Sequence, residues 1–197
     1  VLSITREIWP ILAVAVAVMA LKLVITSPRF KGRVGEARVT KTLQRRLDPE
    51  TSMLLTAVTL PSGSGTPQID HIAIIPAGIF VIETKNMSGW IFGNAESRRW
   101  TQVLHRKKTG FQNPLRQNHK HIKAVEAVTG VDRAMLFNLV VFAGHATPKT
   151  PFPETVFWKP RQMVDWLLEQ SATRLSPDEM AEVRDRLEAA RLAPGRH

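Results

Sequence analysis

The sequence predicts an α/β domain built on a mixed sheet, and three observations carry that expectation. Two apolar runs flank Pro76-Ala77-Gly78 in QIDHIAIIPAGIFVIETKN, residues 68–86, and both faces of each run are apolar. Strands covered on both sides show this pattern. A second stretch, MLFNLVVF at residues 135–142, has the β-branched and aromatic content of another buried strand. Finally, helical signals bracket these strands, and the order α-β-β-β, then α-β-α, matches helices layered on a mixed sheet.

In chain order, residues 27–32 (SPRFKG) read as a short linker. A helix follows over residues 34–47, with Val39, Leu43 and Leu47 at helical spacing on an otherwise charged surface. Asp48-Pro49 ends it, since proline restricts the residue before it and cannot continue the ladder. Residues 53–60 read as a strand and residues 61–65 (PSGSG) as a flexible hairpin connection. A phosphate loop is not expected there, because no Gly-Lys-Ser/Thr follows. The two runs around Pro76 form the next hairpin. Ile72, Ile74, Ile79 and Val81 are expected on one face, with Ile69, Ile75, Phe80 and Ile82 on the other.

Residues 90–92 and 99–104 read as further strands. Asn113-Pro114 is an N-cap followed by proline at the first helical position, opening a helix to about Val128. After the strand at 135–142, the proline-rich residues 144–153 read as a loop and residues 161–169 as a helix. The capping box Ser176-Pro177-Asp178-Glu179 opens the last helix, with Met180, Val183 and Leu187 in one stripe.

Composition bounds the chemistry. The 197 residues include no cysteine, which excludes disulfides, thiolate metal sites and cysteine nucleophiles. Lys and Arg outnumber Asp and Glu by 27 to 17, for a net charge of +10, so polyanions are the expected partners: nucleic acid or an anionic membrane surface. Residues 8–25 (IWPILAVAVAVMALKLVI) are apolar except for Lys22, about the minimum length for crossing a bilayer core. Arg29, Lys31 and Arg33 follow, while Arg6 and Glu7 nearly cancel on the other side. The positive-inside rule then predicts a single-pass membrane protein with its C-terminal domain in the cytoplasm. A cleaved signal peptide is disfavoured by the weak n-region charge and the lack of an A-x-A site, and a buried core helix by apolar residues on every face. The expected organisation is a membrane anchor over residues 1–27, the α/β domain over 28–150 and a helical extension over 151–197.

A hairpin closing at Pro76-Ala77-Gly78 pairs residues whose numbers sum to about 153 or 154, which sets Asp70 opposite Glu83 or its neighbour. Opposite residues on one face have Cβ atoms roughly 5 Å apart, and Glu83 and Lys85 share a face by alternation. Two readings stand at this point. One is an ordinary salt bridge between Lys85 and Asp70 or Glu83 at a strand end. The other is a metal site, because two adjacent carboxylates near an apolar core repel and need a cation. Mg²⁺ (or Mn²⁺) is a hard-oxygen fit, and such a site could activate water and stabilise charge on a phosphate, with Lys85 orienting the water or neutralising the phosphate. His71 alternates to the opposite face from Asp70 and is not expected as a ligand.

The flanking sequence favours the second reading. The run GEARV at residues 35–39, then QIDHI, GIFVIETKNMSGWIFG, WTQ and FQNPLRQNHKHIKAV closely resembles the NERD, or nuclease-related, domain over roughly residues 32–142. That domain is similar to the PD-(D/E)xK nuclease superfamily, so the resemblance implies a restriction-endonuclease-like core with a mixed central β-sheet flanked by helices. It also implies Mg²⁺-dependent phosphodiester hydrolysis. By motif, Asp70 is the metal-binding aspartate, Glu83 the acidic member of E-x-K and Lys85 its lysine. Glu36 matches an acidic residue that the superfamily often carries on its first core helix. Ile69 stands where many superfamily members have proline, as is usual for the nuclease-related pattern. Related nucleases often use a glutamine on the following helix, which nominates Gln117. His121, four residues on, reads either as a general base or as a surface histidine, with the surface reading preferred; Asn113 lies a turn earlier on the same face.

From Arg98 to Lys123 the chain has no acidic residue. Arg99, Arg106, Lys107, Lys108, Arg116 and Lys120 are candidate nucleic-acid contacts there, with Trp100 and Phe111 interleaved among them. The same basic face also fits an anionic leaflet. Three functions are therefore carried forward: a membrane-anchored, metal-dependent nuclease acting on DNA or RNA; a nuclease fold that binds nucleic acid or a protein without cleaving; and a membrane-surface scaffold.

Overall fold

A computed structural model describes residues 2–63 and 65–193. Ser64 of the expected connecting loop, and the side chains of residues 8, 10 and 11 of the expected membrane segment, lie outside the described residues. The chain divides into two compact units, Val1–Val34 and Gly35–His197.

In the first unit, helix α1 spans Leu2–Thr26, and its side chains from Leu12 to Ile25 are all exposed, apolar ones included. Among the described residues no single helix is long and apolar enough to cross a membrane. The expected linker at residues 27–32 is helical instead, because α2 runs over Pro28–Arg46. Proline is compatible with a first helical turn, where its missing N–H has no intrahelical role. Ser27 Oγ accepts the Phe30 N–H at 3.2 Å and so supplies the cap.

The second unit is organised by a five-stranded mixed sheet. β1 (Met53–Thr59), β2 (Gln68–Ile75) and β3 (Gly78–Lys85) are antiparallel neighbours, and β7 (Leu136–Phe142) and β9 (Val156–Phe157) extend the sheet in parallel. The β2–β3 register pairs Ile75 with Gly78 and His71 with Ile82, a sum of 153 throughout. Gly78 permits this turn: its φ is +143°, and a Cβ there would meet Phe137 Cε2 at 2.6 Å and the Met135 carbonyl at 2.8 Å.

Helices cover both faces. Ile72, Ile74, Ile79 and Val81 pack against Ile122 and Val125 of α3 (Pro114–Thr129) and against Met180, Val183 and Leu187 of α5 (Pro177–Ala190). On the other face Ile75, Phe80 and Ile82 meet Val39 and Leu43 of α2 and Met163, Val164 and Leu167 of α4 (Pro160–Leu168). Ile69 joins the first cluster rather than the second. Its strand is irregular there, since the β1–β2 ladder skips the Ala57–Asp70 position and Ala57 has φ +50°.

A second, four-stranded sheet contains β4 (Gly89–Phe92), β5 (Arg99–Leu104), β6 (Lys107–Gln112) and β8 (Ala146–Pro148), in the order β6-β5-β4-β8. β6 and β8 were not expected from sequence. β6 carries little hydrophobic patterning, and β8 lies in the stretch read as a loop. Trp100 is 1% exposed and packs with Phe142, Phe152 and Phe111. Trp100 and Phe111 thus build a core under the second sheet and do not interleave with the basic residues at its surface.

Candidate active site

The hairpin register places Asp70 and Glu83 at the open end of β2–β3, far from the turn. Asp70 Oδ2 accepts the Thr84 N–H at 2.7 Å, which holds the aspartate across the strand pair. Glu83 is 2% exposed; its Oε1 accepts Lys85 Nζ at 2.6 Å. Lys85 Nζ also donates to Gln117 Oε1 at 3.0 Å, so the helix glutamine and the strand lysine meet. The first turns of α3 thus lie over the last residues of β3.

The electrostatics of this cluster are unbalanced. Burial pushes the Asp70 carboxyl well up, and the neighbouring Glu83 pushes it further, with Glu36 adding to the effect. Glu83 is likewise raised by burial and by Glu36, against the opposing pull of Lys85. Glu36 stands half-buried on α2, near enough for both carboxylates to feel its charge. One lysine therefore faces three carboxylates. Moreover, Glu83 Oε2 is buried without a hydrogen-bond partner.

His121 is the residue the sequence reading misplaced. It is 4% exposed, not a surface histidine, and its Nδ1 lies 3.5 Å from the orphaned Glu83 Oε2. Its stripe was legible in hindsight: positions 118, 121, 122, 125 and 129 are all buried at helical spacing. Asn118 sets the ring's tautomer. Its Nδ2 faces the Val81 carbonyl at 2.7 Å, Asn138 Oδ1 at 2.8 Å and the Leu139 carbonyl at 3.1 Å, leaving Oδ1 as an acceptor. His121 Nδ1, 3.2 Å from that oxygen, then carries the hydrogen. Burial, followed by the Lys85 charge, lowers the His121 pKa to about 4, so the ring is neutral at pH 7. His71 lies on the α2 side with Nε2 2.8 Å from Thr40 Oγ1, and burial lowers its pKa to about 4.

A cleft of about 360 Å³ opens beside the cluster, lined by Gln117 and His121 on one side and by Ser62, Thr66 and Pro67 on the other. The connection read as a bland hairpin loop thus forms a wall of the cleft. Nothing in its local sequence announces this, because the wall depends on where α3 lies.

The basic candidates separate into groups. Arg116 and Lys120 lie on the exposed side of α3, and Lys120 also lines the cleft. Arg99 is tied by its Nη2 to the Gly110 carbonyl at 2.6 Å. Arg106, Lys107 and Lys108 sit at the tip of the β5–β6 hairpin. Lys107 is five residues along β6 from the cleft residue Gln112, about 17 Å by strand rise.

Whether a cation fits can be judged from the donors. Among the described residues no group of three His, Cys, Asp or Glu side chains is gathered closely enough to hold a metal ion. Half-buried Asp70 and buried Glu83, two carboxylates that repel each other, one with an oxygen that accepts no hydrogen bond, nonetheless form an all-oxygen donor pair of the kind hard divalent cations take.

Comparison with known proteins gives two findings. A model of the nuclease-related domain (NERD) family matches residues 31–143, more than half of the chain. An uncharacterized protein of Bacillus anthracis is 50% identical over 100 residues, a stretch covering 50% of this chain and 47% of the relative. The chain thus spans about half the length of the curated relative it matches.

Proposed function

The chain belongs to the nuclease-related domain family, and from that premise we propose that it hydrolyses phosphodiester bonds in DNA or RNA with the help of a divalent metal ion. The observation that carries this reading is the carboxylate pair of buried Glu83 and half-buried Asp70, short of positive charge, with Lys85 bridging Glu83 and Gln117 beside an open cleft. The salt bridge to Lys85 engages only Oε1 of Glu83, and its buried Oε2 accepts no hydrogen bond.

Asp70 and Glu83, with Glu36 close by, would hold Mg²⁺ or Mn²⁺, which supplies positive charge for a phosphate oxygen. The remaining roles belong to the chain's own groups. Lys85, already fixed between Glu83 and Gln117, can orient the attacking water or neutralise charge on the phosphate. Gln117 holds the ammonium at a set position. Neutral His121 donates from Nδ1 toward Asn118 and lies beside Glu83 without adding a competing cation. Hydrolysis adds water across one P–O bond, so phosphate and hydroxyl ends are the products. Arg116 and Lys120 would contact the phosphates of the bound strand.

Residues 8–25 are proposed as a membrane anchor, supported by their apolar composition and by the exposure of α1's described side chains in the first unit.

The test is cleavage of labelled single-stranded, duplex and RNA substrates by the full chain in detergent with Mg²⁺ or Mn²⁺. Asp70→Ala and Lys85→Ala are each expected to lower the rate at least ~100-fold. Variants as active as the parent would remove these residues from the site. Salt-sensitive binding with no cleavage of any substrate would favour a nuclease fold that binds without cutting, a reading that the lack of a third closely placed ligand also supports.

A further inference from the structure

A second cavity, about 600 Å³, lies on the far side of Lys120 from the cleft, and Lys120 lines both. Its volume falls within the roughly 300–1,000 Å³ range of small-molecule sites. The lining sorts into two chemistries. Ala95, Leu115 and Pro153 offer apolar surface, while Arg116, His119 and Lys123 bring positive charge or a hydrogen-bonding ring, with no acidic residue among the lining groups. A ligand that matches both must carry a flat apolar body and an anionic link, which describes a nucleotide.

This groove is built before any ligand arrives. Asn113 Nδ2 reaches the carbonyls of Ala95 at 3.1 Å and Ser97 at 2.7 Å, pinning the 94–97 loop to the start of α3. Asn138, at the groove's floor, donates to the Leu115 carbonyl at 2.9 Å and accepts from Asn118. The Pro153–Thr155 wall is tied to β7 through the Val140 N–H and the Thr155 carbonyl, at 3.0 Å. A rigid, preformed cavity keeps the ordering cost of binding low.

From this geometry we propose that the groove is a subsite for one unstacked nucleotide of a single-stranded substrate, continuous with the cleavage cleft across Lys120. The inference deepens the nuclease reading and rests on it for the identity of the polymer. Within a duplex both faces of each base are stacked, so the apolar walls of the groove find nothing to bury against; in a single strand the base is free to enter. Arg116 and Lys123 then meet the flanking phosphates, and the exposed His119 ring offers a stacking edge. The groove thus selects single strands by the base and not by phosphate charge, which both kinds of substrate possess.

The experiment measures equilibrium binding of fluorescent oligonucleotides to the full chain in detergent, with EDTA present so that no cleavage occurs. A single strand is expected to bind at least ~10-fold tighter than the duplex of the same sequence. Replacing single bases by abasic sites, one position at a time, is expected to weaken binding by about tenfold at one position and little elsewhere. Ala95→Glu places a carboxylate on the groove's exposed loop and is expected to erase both preferences, and Lys123→Gln to lower the salt dependence of binding by about one counterion. Equal affinity for single strand and duplex, no position sensitive to base removal, or an unchanged Ala95→Glu protein would each overturn the subsite. Because no turnover is read, these results are separable from the cleavage assay. A protein that cuts but prefers duplex loses only the groove, and one that shows the groove signature without cutting loses only the hydrolytic reading.

Discussion

At the residue scale, the informative feature is a surplus of carboxylates at a partly buried site. Asp70 and Glu83 hold their protons more tightly in the folded chain than in the unfolded one when no cation is bound. Such groups contribute stability that is fully present below the ordinary carboxylate range and is lost as pH rises through their raised folded values. Asp70→Asn removes one ionisation while keeping an oxygen to accept the Thr84 N–H. In EDTA at pH 8 the variant is therefore expected to melt above the parent, by about 2–4 °C for each kcal/mol relieved, and the gap is expected to close near pH 4. Addition of Mg²⁺ should raise the parent's melting temperature and not the variant's. A variant that melts below the parent in EDTA at pH 8 would show that Asp70 is a structural partner and not a strained ligand. The same scale explains what the sequence reading missed at His121. The helical stripe places it on the buried face, but the degree of burial, the larger cause of its neutrality, depends on the sheet that the helix covers.

At the element scale, α3 and α5 do most to place the site. α3 carries Gln117 to Lys85 and His121 to Glu83 from one face, and Asn118 bolts that face to β3 and β7. α5 lies against the same sheet face through Met180, Val183 and Leu187. Arg186 reaches the Thr129 carbonyl at the end of α3, and Arg191 donates to the Thr56 carbonyl at 2.7 Å. The family match ends at residue 143, yet this helix completes the core over which the site is built. Burial of three such side chains is worth about 5–9 kcal/mol, similar to the whole stability of a typical domain at about 5–15 kcal/mol. A chain ending before Ser176 is therefore expected to lose its cooperative thermal transition by circular dichroism. Cooperative melting within a few degrees of the full chain would show that α3 and the sheet stand without it.

At the scale of the whole molecule, net charge and the N-terminal segment bear on the proposed partners and on the proposed anchor. The charge of +10 favours polyanions at any site on the surface, so it selects neither nucleic acid nor leaflet. Anchoring through residues 8–25 predicts that the full chain, expressed in cells, stays in the membrane pellet after an alkaline carbonate wash. Release into the supernatant, as for a charge-bound peripheral protein, would remove the anchor. Much of the architecture was legible along the chain. The strands at 68–75 and 78–85, their register, the capped helix after Asn113 and the final capping box all follow from short-range patterns of apolar alternation, turn residues and caps. Asp70, Glu83 and Lys85 could be brought together on paper because one tight turn fixes the pairing of both strands. The weakly patterned β6 and the wall formed by Ser62 and Thr66 were not legible, since each depends on partners distant in sequence, whereas the helical start at Pro28 has a local signal in its Ser27 cap. The sequence by itself thus determined which residues share a face and which charges stand near each other. Only the tertiary structure decided which of those charges lose their water, because desolvation depends on the helices that close over the sheet, and it is this loss that sets Asp70 and Glu83 apart from ordinary carboxylates.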